Sequence, residues 1–268
     1  MEREIITSAQ NPKVKRLIQL QQKSAFRRQE GLFVVEGARE LLHCVHSGYE
    51  VATMFYCPEI LQAYDGAAEI LALARDGVGH EVSAKVYGRM AYREGTEGVV
   101  AEMRARHLAL ADLRLPEDPL VVVLERVEKP GNLGAVLRSA DAAAADAVIV
   151  CDPLTDLFNP NLIRSSIGAV FTVPTVACSS EECIAFLKER GIQILTAQLQ
   201  DSSLYYDIDM KRGTAIVMGT ESTGLTDVWR EAADEHIRIP MKGRLDSLNV
   251  SVSAAILLFE AVRQRNGQ

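Results

Sequence analysis

No stretch of this chain approaches the apolar length needed to cross a bilayer, and Met1 to Thr7 lack the basic start and apolar run of a signal peptide. The expectation is a cytoplasmic protein with no membrane contact. The five cysteines, Cys44, Cys57, Cys151, Cys178 and Cys183, include no C-x-x-C pair, which argues against both a disulfide framework and a zinc site. They are expected to be buried free thiols, with no metal. No G-x-G-x-x-G follows a strand with an acidic residue roughly 20 positions on, so the usual dinucleotide site is unsupported, and a Walker A sequence is missing too. Gly77-Val-Gly79 beside Asp76 reads as a turn. Asn159-Pro-Asn161 lacks the second proline and the aromatic of a base-amino methyltransferase motif and reads as a turn into a helix at Leu162. Internal repeats and low-complexity segments are lacking as well.

What is present is ordinary globular material: 268 residues, 48% hydrophobic and 24% charged. That length suits two domains better than one. The net charge of −7 argues against a nucleic-acid partner only until its distribution is considered. Residues 13 to 28 carry Lys13, Lys15, Arg16, Lys23, Arg27 and Arg28 with no acidic residue among them. Such a local basic patch on an acidic protein fits one face meeting phosphate, and it fits a solvated helix face equally well.

Hydrophobic periodicity predicts a basic helix over about 11 to 29, a strand at Phe33 to Val35, a helix from Ala38 to His46 and a strand from Val51 to Tyr56. A helical stretch to about Arg75 and a strand at Gly98 to Ala101 complete a small α/β domain over residues 1–105. Two prolines and several charges between Arg104 and Pro119 mark a linker, set at 106–118. In 119–268 short apolar strands alternate with helical patterns, at Leu120 to Leu124, Ala147 to Val150, Gln193 to Thr196, Thr214 to Met218 and His236 to Ile239. Continuous apolar strands predict an α/β domain with a mostly parallel sheet and helices on both faces.

Three motifs in this second domain carry chemistry. In Asn132-Leu-Gly-Ala-Val-Leu-Arg-Ser-Ala140, Asn132 is placed to cap a helix whose buried stripe is Leu133, Val136, Leu137 and Ala140. Arg138 lies off that stripe, and its side chain is expected to run back over Gly134 and Ala135 toward the helix N-terminus. Guanidinium and free backbone amides would then converge on one anion, naturally an RNA phosphate; a plain surface arginine is the alternative. In Met218-Gly-Thr-Glu-Ser-Thr-Gly-Leu225 the loop follows a strand, where open α/β sheets bind ligands. Gly219 would admit a ligand close to the backbone and Glu221 would accept hydrogen bonds, although strand-end glycine turns are common. Ile239-Pro-Met-Lys-Gly-Arg-Leu-Asp-Ser-Leu-Asn-Val-Ser251 stacks Ser247, Asn249, Ser251 and Ser253 where the apolar helix Val250 to Val262 begins. These side chains can shape a ligand loop, or simply cap the helix.

Together, in this order and spacing, the three motifs resemble the SpoU/TrmH class of RNA ribose 2′-O-methyltransferases, a branch of the SPOUT superfamily. The resemblance implies S-adenosylmethionine as methyl donor and a ribose 2′-hydroxyl of structured RNA as acceptor. It also implies a C-terminal trefoil knot, a rare exception to unknotted topology. Asn132, Arg138, Glu221, Ser247 and Asn249 match the family's catalytic positions, and Thr196, Met218, Gly219, Ile239, Met241, Leu248 and Asn249 its cofactor enclosure. A guanidinium keeps its proton, so the residue matching Arg138 is expected to act by holding phosphate and attacking oxygen in line. The N-terminal segment, with Thr7 to Lys15 and Val35-Glu-Gly-Ala-Arg39, is similar to the auxiliary RNA-binding domain that some members carry. This tilts the substrate toward ribosomal RNA and adds Arg39 to the six basic residues as an RNA contact. A homodimer through the closing helix is implied. A non-catalytic RNA-binding protein that keeps the fold is the competing expectation; a nucleotide-dependent oxidoreductase lacks its glycine fingerprint.

Overall fold

A computed structural model describes residues 5–74, 77–92, 97–220, 222–245 and 247–266 and divides the chain into two compact units. The first comprises Met1–Arg106 with Phe158–Gly168, the second His107–Leu157 with Ala169–Gln268.

The first unit opens with α1 (Pro12–Gln22) and α2 (Ser24–Glu30), two helices where one was expected, because Lys23 between them is extended at φ −120°, ψ 108°. Asn11 caps α1 by accepting from the Lys13 amide, and Val14, Leu17 and Leu20 bury its apolar stripe. Arg27 corrects the expectation of a phosphate contact. It is 5% exposed, and its Nη1 donates to the carbonyls of Leu20 (2.6 Å) and Gln21 (3.2 Å). Those are carbonyls at the end of α1, which the break deprives of helical partners. Arg16 is also committed, with Nη2 3.5 Å from the buried carboxylate of Glu102 and Nε 3.8 Å from Glu30. Lys13, Lys15, Lys23, Arg28 and Arg39 are exposed.

The unit continues through β1 (Leu32–Glu36), α3 (Ala38–His46), β2 (Val51–Tyr56), α4 (Pro58–Leu61), α5 (Ala67–Leu73), β3 (Gly79–Glu81), α6 (Ala84–Met90) and β4 (Val99–Arg104). Its sheet runs β1-β4-β2-β3, with β4 antiparallel to both neighbours and β3 parallel to β2. The sequence placed residues 158 to 168 in the second domain, whereas in the structure they cluster with this unit. Phe158 stacks on Phe33 at 4.3 Å and meets the half-buried Tyr49 edge-on, packing three rings together.

The second unit is built on β5 (Leu120–Glu125), α7 (Pro130–Ala142) and β6 (Ala147–Cys151). After α8 (Pro160–Ser165), which lies in the returning segment, come α9 (Ala169–Thr172), β7 (Thr175–Cys178), α10 (Ser180–Glu189), β8 (Gln193–Ala197) and β9 (Ser203–Leu204). Then follow β10 (Thr214–Met218), α11 (Asp227–Ala232), β11 (Glu235–Arg238) and α12 (Val250–Arg265). The seven strands order as β7-β6-β5-β10-β8-β11-β9, and among the described residues they all pair in parallel. β5, β6 and β10 are buried throughout, which is why they read as unbroken apolar runs. Val121, Val123, Ile149 and Val217 pack with Leu187 of α10 and Trp229 of α11. α12 packs along α7 and against β10, and its last turn is tied down by Arg265, whose guanidinium donates to the carbonyls of Asp118, Pro119, Met210 and Arg212. Among the described residues no helix is long and apolar enough to cross a membrane.

Candidate cofactor cleft and active site

In a parallel sheet all strands deliver their loops to the same edge, and ligands collect there. Three neighbouring strands do so here: β8 runs into Gln198, β10 into Gly219 and β11 into Ile239. Their loops and the start of α12 wall a cleft of about 500 Å³, within the range of pockets that hold nucleoside-sized ligands.

Met218, Gly219, Ile239, Met241 and Leu248 line the cleft, together with Ser247, whereas Asn249, also expected in the cofactor enclosure, is not among the lining residues. Nor is Thr196. It is fully buried in β8, with its hydroxyl 2.6 Å from Nδ1 of His236 on β11, so it joins two strands rather than facing a ligand. The carboxylate expected at Glu221 lies outside the described residues. Gly219 is required for a reason other than the one the sequence offered. A Cβ there would fall on the Gly224 carbonyl, because Thr220 and Gly224 exchange backbone hydrogen bonds at 3.3 and 3.0 Å and close the loop on itself. Gly224 takes φ +69°, the conformation that lets the loop turn.

Asn132 is the third residue of α7, not its cap. Pro130 occupies the first helical position, where its missing N–H costs nothing, and Lys129 stands before it. The Asn132 side chain is thereby free of capping and accepts from Nδ2 of Asn249 at 3.2 Å. Asn249 is the cap of α12: its Oδ1 accepts from the Ser251 amide (3.0 Å) and hydroxyl (2.6 Å). Arg138 is exposed on α7, with no hydrogen-bond or ion-pair partner among the described residues.

The sequence did not single out Gln198, Leu199 and Gln200 after β8, nor Leu225, Arg230 and Arg238, all of which line the cleft. Gln198 is the most telling: its Oε1 is buried without a hydrogen-bond partner among the described residues, while its Nε2 donates to the Gln200 carbonyl. A lining acceptor in that state calls for a donor from a ligand. With Leu199, Leu225, Ile239, Met241 and Leu248 as apolar walls, the lining fits the adenosine portion of S-adenosylmethionine. Glu125 was also missed. Buried at the end of β5, its carboxylate accepts from the Thr226 amide (2.9 Å) and hydroxyl (2.6 Å) and so anchors the far end of the Gly219 loop. A single glutamate ending an apolar strand gives no signal of that partner.

Residues 119–259 match the model of the SpoU rRNA Methylase family, and residues 11–101 match the MRM3-like substrate binding domain. The chain is 38% identical to a 23S rRNA (guanosine-2′-O-)-methyltransferase of Bordetella pertussis over 193 residues, 70% of this chain and 79% of that one. A solved RNA 2′-O ribose methyltransferase superposes with TM-score 0.85 at 38% identity, covering 98% of this chain and all of the other. An AdoMet-bound rRNA methyltransferase from Sinorhizobium meliloti gives TM-score 0.87 at 31% identity, with 97% of each chain covered.

Proposed function

This chain belongs to the SpoU rRNA methylase family, and we propose that it methylates a ribose 2′-hydroxyl of ribosomal RNA with S-adenosylmethionine bound in the cleft at the ends of β8, β10 and β11. The observation that carries this reading is the cleft itself, where motif residues from three loops meet an apolar lining and one unsatisfied acceptor, Gln198. When bound there, S-adenosylmethionine supplies an electrophilic methyl group. Backbone groups around Gly219, Ile239, Met241 and Leu248 hold the nucleoside, and the apolar side chains exclude water.

Arg138 serves the RNA side. Exposed and without a protein partner among the described residues, its guanidinium grips the phosphate next to the target ribose and fixes the 2′-oxygen for attack. Asn132 and Asn249 lock α7, which carries Arg138, to the loop that carries Ser247. Ser247 and Asn249 serve the reacting end, and Glu221, outside the described residues, is assigned the same role on its motif alone.

The first unit, Met1–Arg106 with Phe158–Gly168, serves as the auxiliary RNA-binding domain and the second as the methyltransferase domain; the segment 106–118, expected as a linker, belongs to the second unit from His107 on and buries Leu113 in its core. Lys13, Lys15, Lys23, Arg28 and Arg39 contact phosphate, with Arg16 and Arg27 holding the unit together instead. The methyltransferase domain ends in a trefoil knot. It pairs with a second copy through α12, whose Val252 and Phe259 are 46% and 49% exposed and share a stripe with Ala255, Ile256 and Val262. Action on ribosomal RNA places the enzyme in the cytoplasm.

Mapping 2′-O-methyl sites in ribosomal RNA from cells with and without the gene tests the function. Loss of one site is expected; an unchanged map contradicts a ribosomal substrate.

A further inference from the structure

Spacing along the chain excludes only ligand pairs that are neighbours in sequence, and parallel strands bring distant residues together. Cys151 ends β6, and Cys178, its register partner, ends β7. Cys183 sits in the first turn of α10, which begins two residues after Cys178. Their three sulfur atoms all lie within 4.8 Å of one another. All three thiols are free; Cys151 and Cys183 are buried, and Cys178 is half-buried. A buried free cysteine ordinarily packs as a small apolar side chain. Three that converge, with one opening toward solvent, form a set of soft ligands with a path in.

The surroundings favour a positive charge. Asp152 follows Cys151 and Glu182 precedes Cys183, and both carboxylates are fixed in place: Asp152 accepts from the Ser180 hydroxyl at 2.7 Å, Glu182 from the Ser179 amide at 2.9 Å. The Ser180 hydroxyl also accepts from the Trp229 indole at 3.0 Å, so the shell around the cluster is held by buried groups. A disulfide would use two of the sulfurs and strand the third; an ion uses all three.

We propose that Cys151, Cys178 and Cys183 form a three-thiolate site for a thiophilic d¹⁰ cation, zinc(II) or cuprous ion. Soft thiolates select these ions. Binding releases the thiol protons to solvent as three sulfur–metal bonds form, and the ion adds no redox step. A cuprous ion is satisfied by three sulfurs, whereas zinc takes a fourth ligand, water, from the open Cys178 side. The site is separate from the cofactor cleft, because β5 lies between β6 and the strands that carry the cleft. The proposal therefore stands or falls independently of the methyltransferase reading.

The test is metal competition on the reduced full-length protein under anaerobic conditions, with zinc(II) and cuprous ion each titrated against a chromophoric chelator and cobalt(II) used as a spectroscopic probe. One equivalent per chain is expected, with a thiolate-to-cobalt charge-transfer band of three-thiolate intensity. Cys178→Ser, at the half-buried position, should weaken binding at least about 100-fold, since even outer-shell changes cost 10- to 100-fold. The bound ion should raise the melting temperature of the parent protein and not of the variant. Saturation by zinc alone or by cuprous ion alone assigns the ion. No retained equivalent, or equal affinity in Cys178→Ser, overturns the site and leaves three core thiols.

Discussion

Asn249 donates through Nδ2 to Oδ1 of Asn132 at 3.2 Å, joining residues 117 positions apart in the chain. One contact thus couples the helix that carries Arg138 to the cap of α12 and the loop before it. The two asparagines divide the work unequally. Asn249 also holds the first turn of α12, whereas Asn132 has no capping duty. Asn249→Ala should cost about 1 kcal/mol of stability, the usual value of a lost cap, and Asn132→Ala less. Methyl transfer should fall in both, and the double variant should lose less than the sum of the two singles. Denaturant melts and initial rates on the four proteins check this; additive rate losses would mean that the pair does not act as a unit.

Gly219→Val should unseat the cofactor loop without unfolding the sheet, because the new Cβ meets the backbone of Gly224 and Leu225 while β10 itself is untouched. A stability loss of roughly 1–3 kcal/mol is expected from such overpacking. Calorimetry should find S-adenosylmethionine binding abolished. Binding at parental affinity would show that the closed Thr220–Gly224 turn is not needed.

The basic segment separates into two classes by burial. Replacing Lys13, Lys15 and Lys23 by neutral residues should leave the melting temperature nearly unchanged and flatten the log–log salt dependence of RNA affinity by about two units, at 0.7 to 0.9 for each lost phosphate contact. The same nucleotide should still be modified, since phosphate contacts position without reading sequence. Arg27→Ala should do the reverse, destabilising the unit by about 1–3 kcal/mol as the carbonyls of Leu20 and Gln21 lose their donor. An unchanged salt slope in the triple variant would move the RNA grip elsewhere.

Burial pushes the Glu102 carboxyl above its ordinary value of 4.5, more than the Arg16 guanidinium and the Thr53 hydroxyl lower it. The folded protein therefore holds this proton more tightly than the unfolded chain, and the group's contribution to stability falls as pH rises from about 4.5. Glu102→Gln removes that titration. It should be about as stable as the parent near pH 4 and more stable near pH 8 in urea melts at both pH values. A variant less stable at pH 8 would mean that the Arg16 pair outweighs the burial of the charge.

Much of this was legible in the sequence where one physical signal dominated. α3 and β2 fall at the expected residues because their apolar periodicities are clean, and α12 begins at Val250 because Asn249 is a strong cap. β7 went unread, since Thr175 to Cys178 is short and only half buried. The split of the first helix hangs on the backbone of Lys23, and the proline at the first helical position moved Asn132 from cap to ligand of Asn249. Thr196 has the right place in the chain for a cofactor contact, but its strand turns the hydroxyl toward His236. The cysteine cluster was invisible because it forms across strands.

Ribose methylation guided by Arg138 can be read out by incubating the purified protein and its Arg138→Ala variant with ribosomal RNA and methyl-labelled S-adenosylmethionine, digesting to nucleosides and identifying the labelled product by mass spectrometry. One 2′-O-methyl nucleoside is expected from the parent, and from the variant a yield reduced by roughly 100-fold or more at unchanged cofactor affinity, because misplacing the reacting oxygen alone costs that much. Label on a base, or a variant that methylates ribose at the parental rate, would contradict it.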